Sequence, residues 1–285
     1  DSALLVEEAL PGALPRPVGE GSGRWRPLAW SPDGARLLAE SRRAGEDPRL
    51  WLVDPTGGRS RALEVGEGPA SYGSAFFDAS GRGLYLLSDR REGRAELFHH
   101  SLADASAEAG NRLLTPDLRW PVEEAAFCPD GGVLAFTTNE AGTGRLHLLD
   151  PRDGRPRPVD LPLGVISDLR FDDRGRRLAF TLQTPRSPRD VYALELDGLD
   201  RQRLVRWTVS EMGGLAPEDL LEPTLIHFRT FDTGRSGATR EIPALYYRPT
   251  GPGPHPIVIY IHGGPEEQVR PGFSASFQRL SLIHI

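Results

Sequence analysis

Between Trp25 and Trp207 the chain repeats one pattern four times, and no other feature limits its fold as tightly. Each copy opens with an apolar run ending near an aromatic residue and closes a turn on glycine. A second apolar run, a polar loop and a third run follow. The first copy is Leu28-Ala29-Trp30-Ser31-Pro32-Asp33-Gly34, then Arg36 to Glu40, then Arg49 to Asp54. Ser74 to Gly81, Leu84 to Ser88 and Glu96 to His100 form the second. Ala125 to Gly131, Val133 to Thr137 and Arg145 to Asp150 form the third. Leu169 to Gly175, Leu178 to Thr181 and Val191 to Leu196 form the fourth. The aligned glycines Gly34, Gly81, Gly131 and Gly175 lie 47, 50 and 44 residues apart. Asp-Gly between two apolar runs signals a hairpin, because the tight turn needs a positive φ. Short fourth strands are expected at Arg61 to Val65, Arg112 to Thr115, Arg157 to Leu161 and Arg203 to Trp207.

Four short antiparallel strands per repeat of about 40–50 residues describe the blade of a β-propeller. One blade cannot bury both of its faces, so blades pack side by side. The aromatic at each strand end (Trp30, Phe77, Phe127, Phe171) is expected in the core between blades. Upstream, residues 1 to 24 carry a short apolar stretch, Leu4 to Leu10, which fits the tail of an earlier repeat.

Beyond Trp207 the period fails. Ser210 to Pro217 reads as a linker, with a helical turn expected at Pro217 to Leu221. Thr224 to Phe231 and Ile242 to Arg248 read as a β-hairpin, and the proline-rich Pro249 to Pro256 as a loop. Ile257 to Ile261 then run apolar without alternation and stop at His262-Gly263-Gly264-Pro265. An unbroken run of β-branched and aromatic residues predicts a strand buried on both faces, as in a parallel sheet. Ligands of open α/β sheets sit at the carboxyl ends of such strands. Glycines there let the backbone turn and leave N–H groups uncovered. The expected architecture is therefore an all-β propeller with four legible blades over 1–207, a linker over 208–222, and the start of an α/β domain over 223–285.

The net charge of −6 and the scattered arginines offer no electrostatic surface for nucleic acid. No run is long enough to span a bilayer as a helix. Cys128 is the single cysteine, so neither an internal disulfide nor a cysteine metal cluster can form within the chain. It holds the register position of Ser31, Asp78 and Asp172, which marks it as a scaffold residue rather than a reactive thiol. His99 and His100 are adjacent on a predicted strand and point to opposite faces, so they cannot share one ion. Asp150 to Asp153 and Asp172-Asp173 lack the spacing of a calcium loop. Gly21-Ser22-Gly23 precedes no helical pattern and does not read as a dinucleotide motif. No cofactor is implied, and the composition suits a cytoplasmic protein as well as a periplasmic one.

A propeller, a linker, a hairpin and a strand ending in His-Gly-Gly-Pro together resemble the prolyl oligopeptidase family of serine peptidases, and within it the acylaminoacyl-peptidase branch. The resemblance rests on Glu222-Pro223, Ile242 to Pro249, His255 to Pro265 and Arg270-Pro271-Gly272-Phe273. It implies a propeller, usually of seven blades, capping an α/β-hydrolase domain and restricting access to short or unstructured peptides. It also implies that the loop after the buried strand lends an oxyanion-hole N–H, from Gly263 or Gly264, with Gly264 preferred. Losing one such donor costs about 3–4 kcal/mol of transition-state stabilisation.

The same reaction needs a nucleophilic Ser on G-x-S-x-G, then an Asp and a His in that order. No G-x-S-x-G occurs. Gly272-Phe273-Ser274-Ala275-Ser276 comes nearest, and Ser274 reads as a loop or helix-start residue. His262 precedes where the nucleophile would stand and reads as a loop-ordering residue rather than a base. The triad is expected beyond Ile285, with earlier blades missing before Asp1 and Leu280 to Ile285 foreign to the native sequence. A chain so divided is expected to be inactive, and poorly soluble through its unpaired blade faces. Two other readings stay open: a propeller-capped esterase or acyl hydrolase, and a TolB-like propeller binding module with a hydrolase remnant. P1 preference, exo- or endopeptidase action and oligomeric state are not legible.

Overall fold

The computed structural model describes residues 3–19, 23–66, 70–91, 93–103, 110–234, 237–264 and 267–282. Gly21, Ser22, Pro265 and Ile283 to Ile285, all named above, lie outside them. The chain forms two compact units: Asp1–Phe136 with His147–Arg157 and Phe171–Gly175, and Thr137–Leu146 with Pro158–Arg170 and Arg176–Ile285.

All four repeats become four-stranded antiparallel sheets with strands in chain order. A short pair, β1 (Leu4–Val6) with β2 (Arg16–Val18), comes first. The first blade is β3 (Arg24–Trp30), β4 (Leu37–Arg42), β5 (Arg49–Val53) and β6 (Ser60–Ala62). The second is β7 (Tyr72–Phe77), β8 (Gly83–Ser88), β9 (Glu96–Ser101) and β10 (Asn111–Leu113). The third is β11 (Val122–Phe127), β12 (Leu134–Glu140), β13 (Thr143–Leu149) and β14 (Pro156–Pro158). The fourth is β15 (Val165–Phe171), β16 (Arg177–Thr184), β17 (Ser187–Leu196) and β18 (Gln202–Arg206). The fold is a β-propeller in its blade construction.

The first hairpin of each blade shows why the repeat is written as it is. The N–H of Gly34 donates to Ser31 C=O at 2.9 Å, Gly81 to Asp78 at 3.0 Å, Gly131 to Cys128 at 2.9 Å and Gly175 to Asp172 at 3.0 Å. All four glycines are left-handed, with φ between +63° and +82°. Three of them also meet the preceding turn. A Cβ on Gly81 would touch Pro32 at 3.5 Å, one on Gly131 would press on Ala79 at 2.7 Å, and one on Gly175 would collide with the Cys128 sulfur. The turns are thus stacked one on the next, and glycine serves both backbone and packing.

The outer strands are shorter than expected, three residues in the first three blades. Pairing nevertheless runs one residue further in each. Leu63 N–H donates to Leu50 C=O, Leu114 to Leu97, Val159 to Leu146 and Trp207 to Val191, at 2.8–2.9 Å.

In the first unit, Leu38, Leu50 and Leu52 pack against Tyr72, Ala75, Phe77, Leu84 and Leu86. A second cluster joins Tyr85, Leu87, Leu97 and Leu114 to Val122, Ala125, Leu134, Phe136 and Leu149. Each fully buried leucine or phenylalanine contributes about 1.5–3 kcal/mol. Phe77 and Phe127 join these inter-blade clusters as expected. Trp30 does not, being 50 % exposed. The short β1–β2 pair packs on the first blade at Leu37, Ala39 and Val53, and Trp30 is not in that cluster.

In the second unit, β17 carries a buried carboxylate. Asp190 pairs with Arg206 and accepts from the Thr208 hydroxyl at 2.9 Å and the Ser187 hydroxyl at 3.2 Å. Burial alone would raise its pKa, but the guanidinium and hydroxyls outweigh that and hold it below the usual carboxylate range. A 3₁₀ turn at Pro217–Asp219 follows. The expected hairpin is present as β19 (Thr224–Thr233) and β20 (Thr239–Tyr246). The one helix among the described residues, α1 (Ala275–Leu282), closes the chain.

Candidate functional site

The predicted buried strand is not formed. Ile257 to Ile261 have no regular structure, and their exposure runs from 63 % to 85 %. A central parallel strand needs a ladder partner on each side and cover on both faces. Among the described residues the hairpin β19–β20 is a closed two-stranded sheet and offers this run no ladder. The apolar sequence is there, but the surface that would bury it is not.

The two glycines after it sit in the open. A Cβ on Gly263 would meet nothing within 4 Å. Gly264 has φ +70°, a left-handed backbone that favours glycine, with Glu267 packed 3.3 Å from where a Cβ would lie. Among the described residues no acceptor takes the N–H of either glycine. A free, outward backbone N–H is what an oxyanion donor requires. His262 turns its Nδ1 to within 3.1 Å of its neighbour's carbonyl, Gly263 O.

Four residues downstream the chain is anchored. Asn139, at the end of β12, accepts the Gly142 N–H on Oδ1 at 2.8 Å and donates through Nδ2 to Gln268 Oε1 at 2.9 Å. Arg270 Nε donates to Gly142 C=O at 2.9 Å. Gln183 of β16 donates to Phe273 C=O at 3.2 Å, and a Cβ on Gly272 would press on its Oε1 at 2.8 Å. The β12–β13 turn that receives Arg270 carries two left-handed residues, Ala141 at φ +51° and Gly142 at +95°. Alanine there costs about 1–2 kcal/mol, so the turn holds a shape that its residues do not all favour.

A second anchor is Gln278, 3 % exposed on α1. Its amide donates to Pro185 C=O at 2.9 Å and Leu221 C=O at 2.7 Å, and accepts the Leu221 N–H at 2.8 Å. One side chain therefore ties the helix, the linker and the β16–β17 turn together. Asn139, Gln183 and Gln278 carried no sequence signal, since a lone amide in a polar loop or short helix has no periodicity. Arg270 stood inside a quoted motif but had no role.

The remaining candidates are structural. Ser274 caps α1, its Oγ accepting the Phe277 N–H at 3.3 Å. Cys128 is fully buried, and burial followed by its bond to Asp130 pushes the thiol up to about 12. His99 Nε2 lies 3.0 Å from Asp78 Oδ2, while His100 Nδ1 lies 3.0 Å from Asn111 Oδ1. Asp150 holds Arg152 within its turn, and Asp153 holds Arg157 of β14. Among the described residues no three His, Cys, Asp or Glu side chains gather as metal ligands.

No family model and no curated protein matches the chain. Solved structures do. A prolyl endopeptidase superposes with a TM-score of 0.66 at 17 % identity, covering 88 % of this chain and 35 % of its own. Prolyl oligopeptidase B from Galerina marginata, bound to a 35mer hydrolysis and macrocyclization substrate, gives 0.59 at 16 %, covering 77 % and 30 %. TolB from Acinetobacter baumannii gives 0.55 at 16 %, covering 81 % and 57 %. The shared property is fold. The blades are propeller blades of the kind prolyl endopeptidases carry, and the chain spans about a third of the first of these proteins.

Proposed function

We propose that this chain belongs to a serine-type peptidase of the prolyl oligopeptidase type, on the acylaminoacyl-peptidase side. In that reading the blades gate peptides toward an α/β-hydrolase active site, and the chain contributes residues 223–285 to the hydrolase part. Gly263 and Gly264 lend the oxyanion N–H, Gly264 foremost. No G-x-S-x-G stands in these 285 residues, and in this reading the catalytic Ser, Asp and His are not among them. The observation that carries the reading is the exposed, left-handed Gly264 with its free N–H, in a chain whose blades match those of prolyl endopeptidases.

The test is acyl transfer by the protein expressed from its complete coding sequence. Hydrolysis of fluorogenic peptide amides, with covalent labelling of one serine by a fluorophosphonate, is the expected result. Cleavage of simple esters without peptides would make it an acyl hydrolase instead. A Gly264→Ala variant with unaltered kcat would remove the glycine from the mechanism.

TolB supports a second reading, a propeller binding module, since this chain covers more of TolB's length than of the peptidases'. Absence of both hydrolysis and serine labelling would favour it.

A further inference from the structure

We infer that Asn139 and Arg270 are positioning residues for the glycine loop. The β12–β13 turn is then a seat that fixes where Gly263 and Gly264 point. The inference rests on the peptidase reading for its catalytic meaning, while the seat itself stands on geometry alone.

Three observations converge. Asn139 is used twice, holding the turn through Gly142 N–H at 2.8 Å and the downstream segment through Gln268 at 2.9 Å. Arg270 reaches the same residue from the other side, donating Nε to Gly142 C=O at 2.9 Å. Gly142 therefore has both its backbone polar groups committed to this joint. Moreover, the turn adopts a left-handed conformation at Ala141, at a cost that its contacts offset. Pro271, buried next to Arg270, stiffens the segment that carries Gln268 and Arg270.

Gln268 lies only four positions after Gly264, so the anchor limits the glycine to a reach of about 14 Å from Gln268. Gly263 meets no packing of its own. Whatever orientation the loop keeps must come from its ends. Catalysis is sensitive to this, because a misplacement of about 1 Å can cost about 100-fold in rate.

The test uses the protein expressed from its complete coding sequence, labelled with ¹⁵N-glycine, with variants Arg270→Met and Asn139→Ala and the conservative Arg270→Lys. In both disruptive variants the heteronuclear NOE of the Gly263 and Gly264 amides should fall, and Arg270→Lys should retain it. For peptide hydrolysis, kcat should drop about tenfold or more with KM within about twofold, as expected when an interaction made only in the transition state is lost. Unchanged glycine NOEs in both folded variants would overturn the inference, as would a displaced loop with unaltered kcat. If the wild-type protein hydrolyses nothing, the peptidase reading fails by itself, and the NOE comparison still decides whether the seat exists. Should Arg270→Met fail to fold, Asn139→Ala carries the same comparison.

Discussion

Gly175 and Gly264 share almost the same backbone, φ +63° and +70°, in opposite surroundings. Gly175 closes the first turn of the fourth blade with the Cys128 sulfur and the Asp130 carboxylate where a Cβ would go. Gly264 is exposed, and the atoms nearest to where its Cβ would lie belong to one flexible side chain, Glu267. The first is fixed by what packs on it, the second by anchors several residues away. The comparison separates a scaffold, in which conformation and packing agree, from a loop whose backbone groups stay free to meet something else.

The contrast breaks most visibly at the scaffold. Gly175→Val adds a β-branched side chain to a left-handed residue and drives it into Cys128. A loss of about 3 kcal/mol or more is expected in a urea melt. Gly263→Ala, with open space around it, should stay within about 0.5 kcal/mol. A Gly175→Val protein as stable as Gly263→Ala would mean that the stacked turns are not a packing interface.

The blades were legible because turn chemistry recurs. One glycine with positive φ, four residues after the last strand position, fixed four hairpins and the order of the runs around them. What covers a surface is less visible. The apolar character of Ile257 to Ile261 reports what that run could bury and is silent on whether a neighbouring strand stands beside it. Trp30 has the sequence signature of Phe77, and only its missing cover makes it exposed. The anchors of the candidate site were hidden for another reason. Asn139, Gln183 and Gln278 act singly, through amide geometry that no spacing encodes, whereas Gly263 and Gly264 announced themselves by ending an apolar run.

Asp190 sharpens the comparison through charge. It is the buried counterpart of the free polar groups at the glycine loop, with its oxygens taken up by Arg206, Thr208, Ser187 and Ser210. Because its folded pKa is depressed, its stabilisation is complete above the unfolded value of about 3.9 and is lost as pH falls through the folded value. Arg206→Met removes the guanidinium and leaves burial unopposed by charge. The loss should be about 3 kcal/mol at pH 7. The variant should also lose the acid-side decline in melting temperature that Asp190 gives the parent. Parallel melting curves for the two proteins from pH 7 to pH 3 would show that the pair does not contribute.

A smaller effect than at Gly175 or Arg206 is expected at Cys128, where the repeat supplies its own control. In the first blade Ser31 Oγ donates to Asp33 Oδ1 at 2.5 Å, and in the third Cys128 Sγ donates to Asp130 Oδ1 at 2.9 Å. In the second blade the same bond runs in reverse, from Ser80 Oγ back to Asp78 Oδ1 at 2.7 Å. In these three blades the turn pairs a donor and a carboxylate two residues apart, in either order. Cys128→Ser keeps that pair and should cost less than about 1 kcal/mol, while Cys128→Ala leaves Asp130 short of a donor and should cost about 1–2 kcal/mol. With the thiol fully buried and pushed up to about 12, iodoacetamide at pH 8 should label the protein only after unfolding. Rapid alkylation of the native protein would make Cys128 a reactive residue after all. An alanine variant as stable as the serine variant would assign its value to packing, and the interchange of serine, cysteine and aspartate at this position would then have no electrostatic basis.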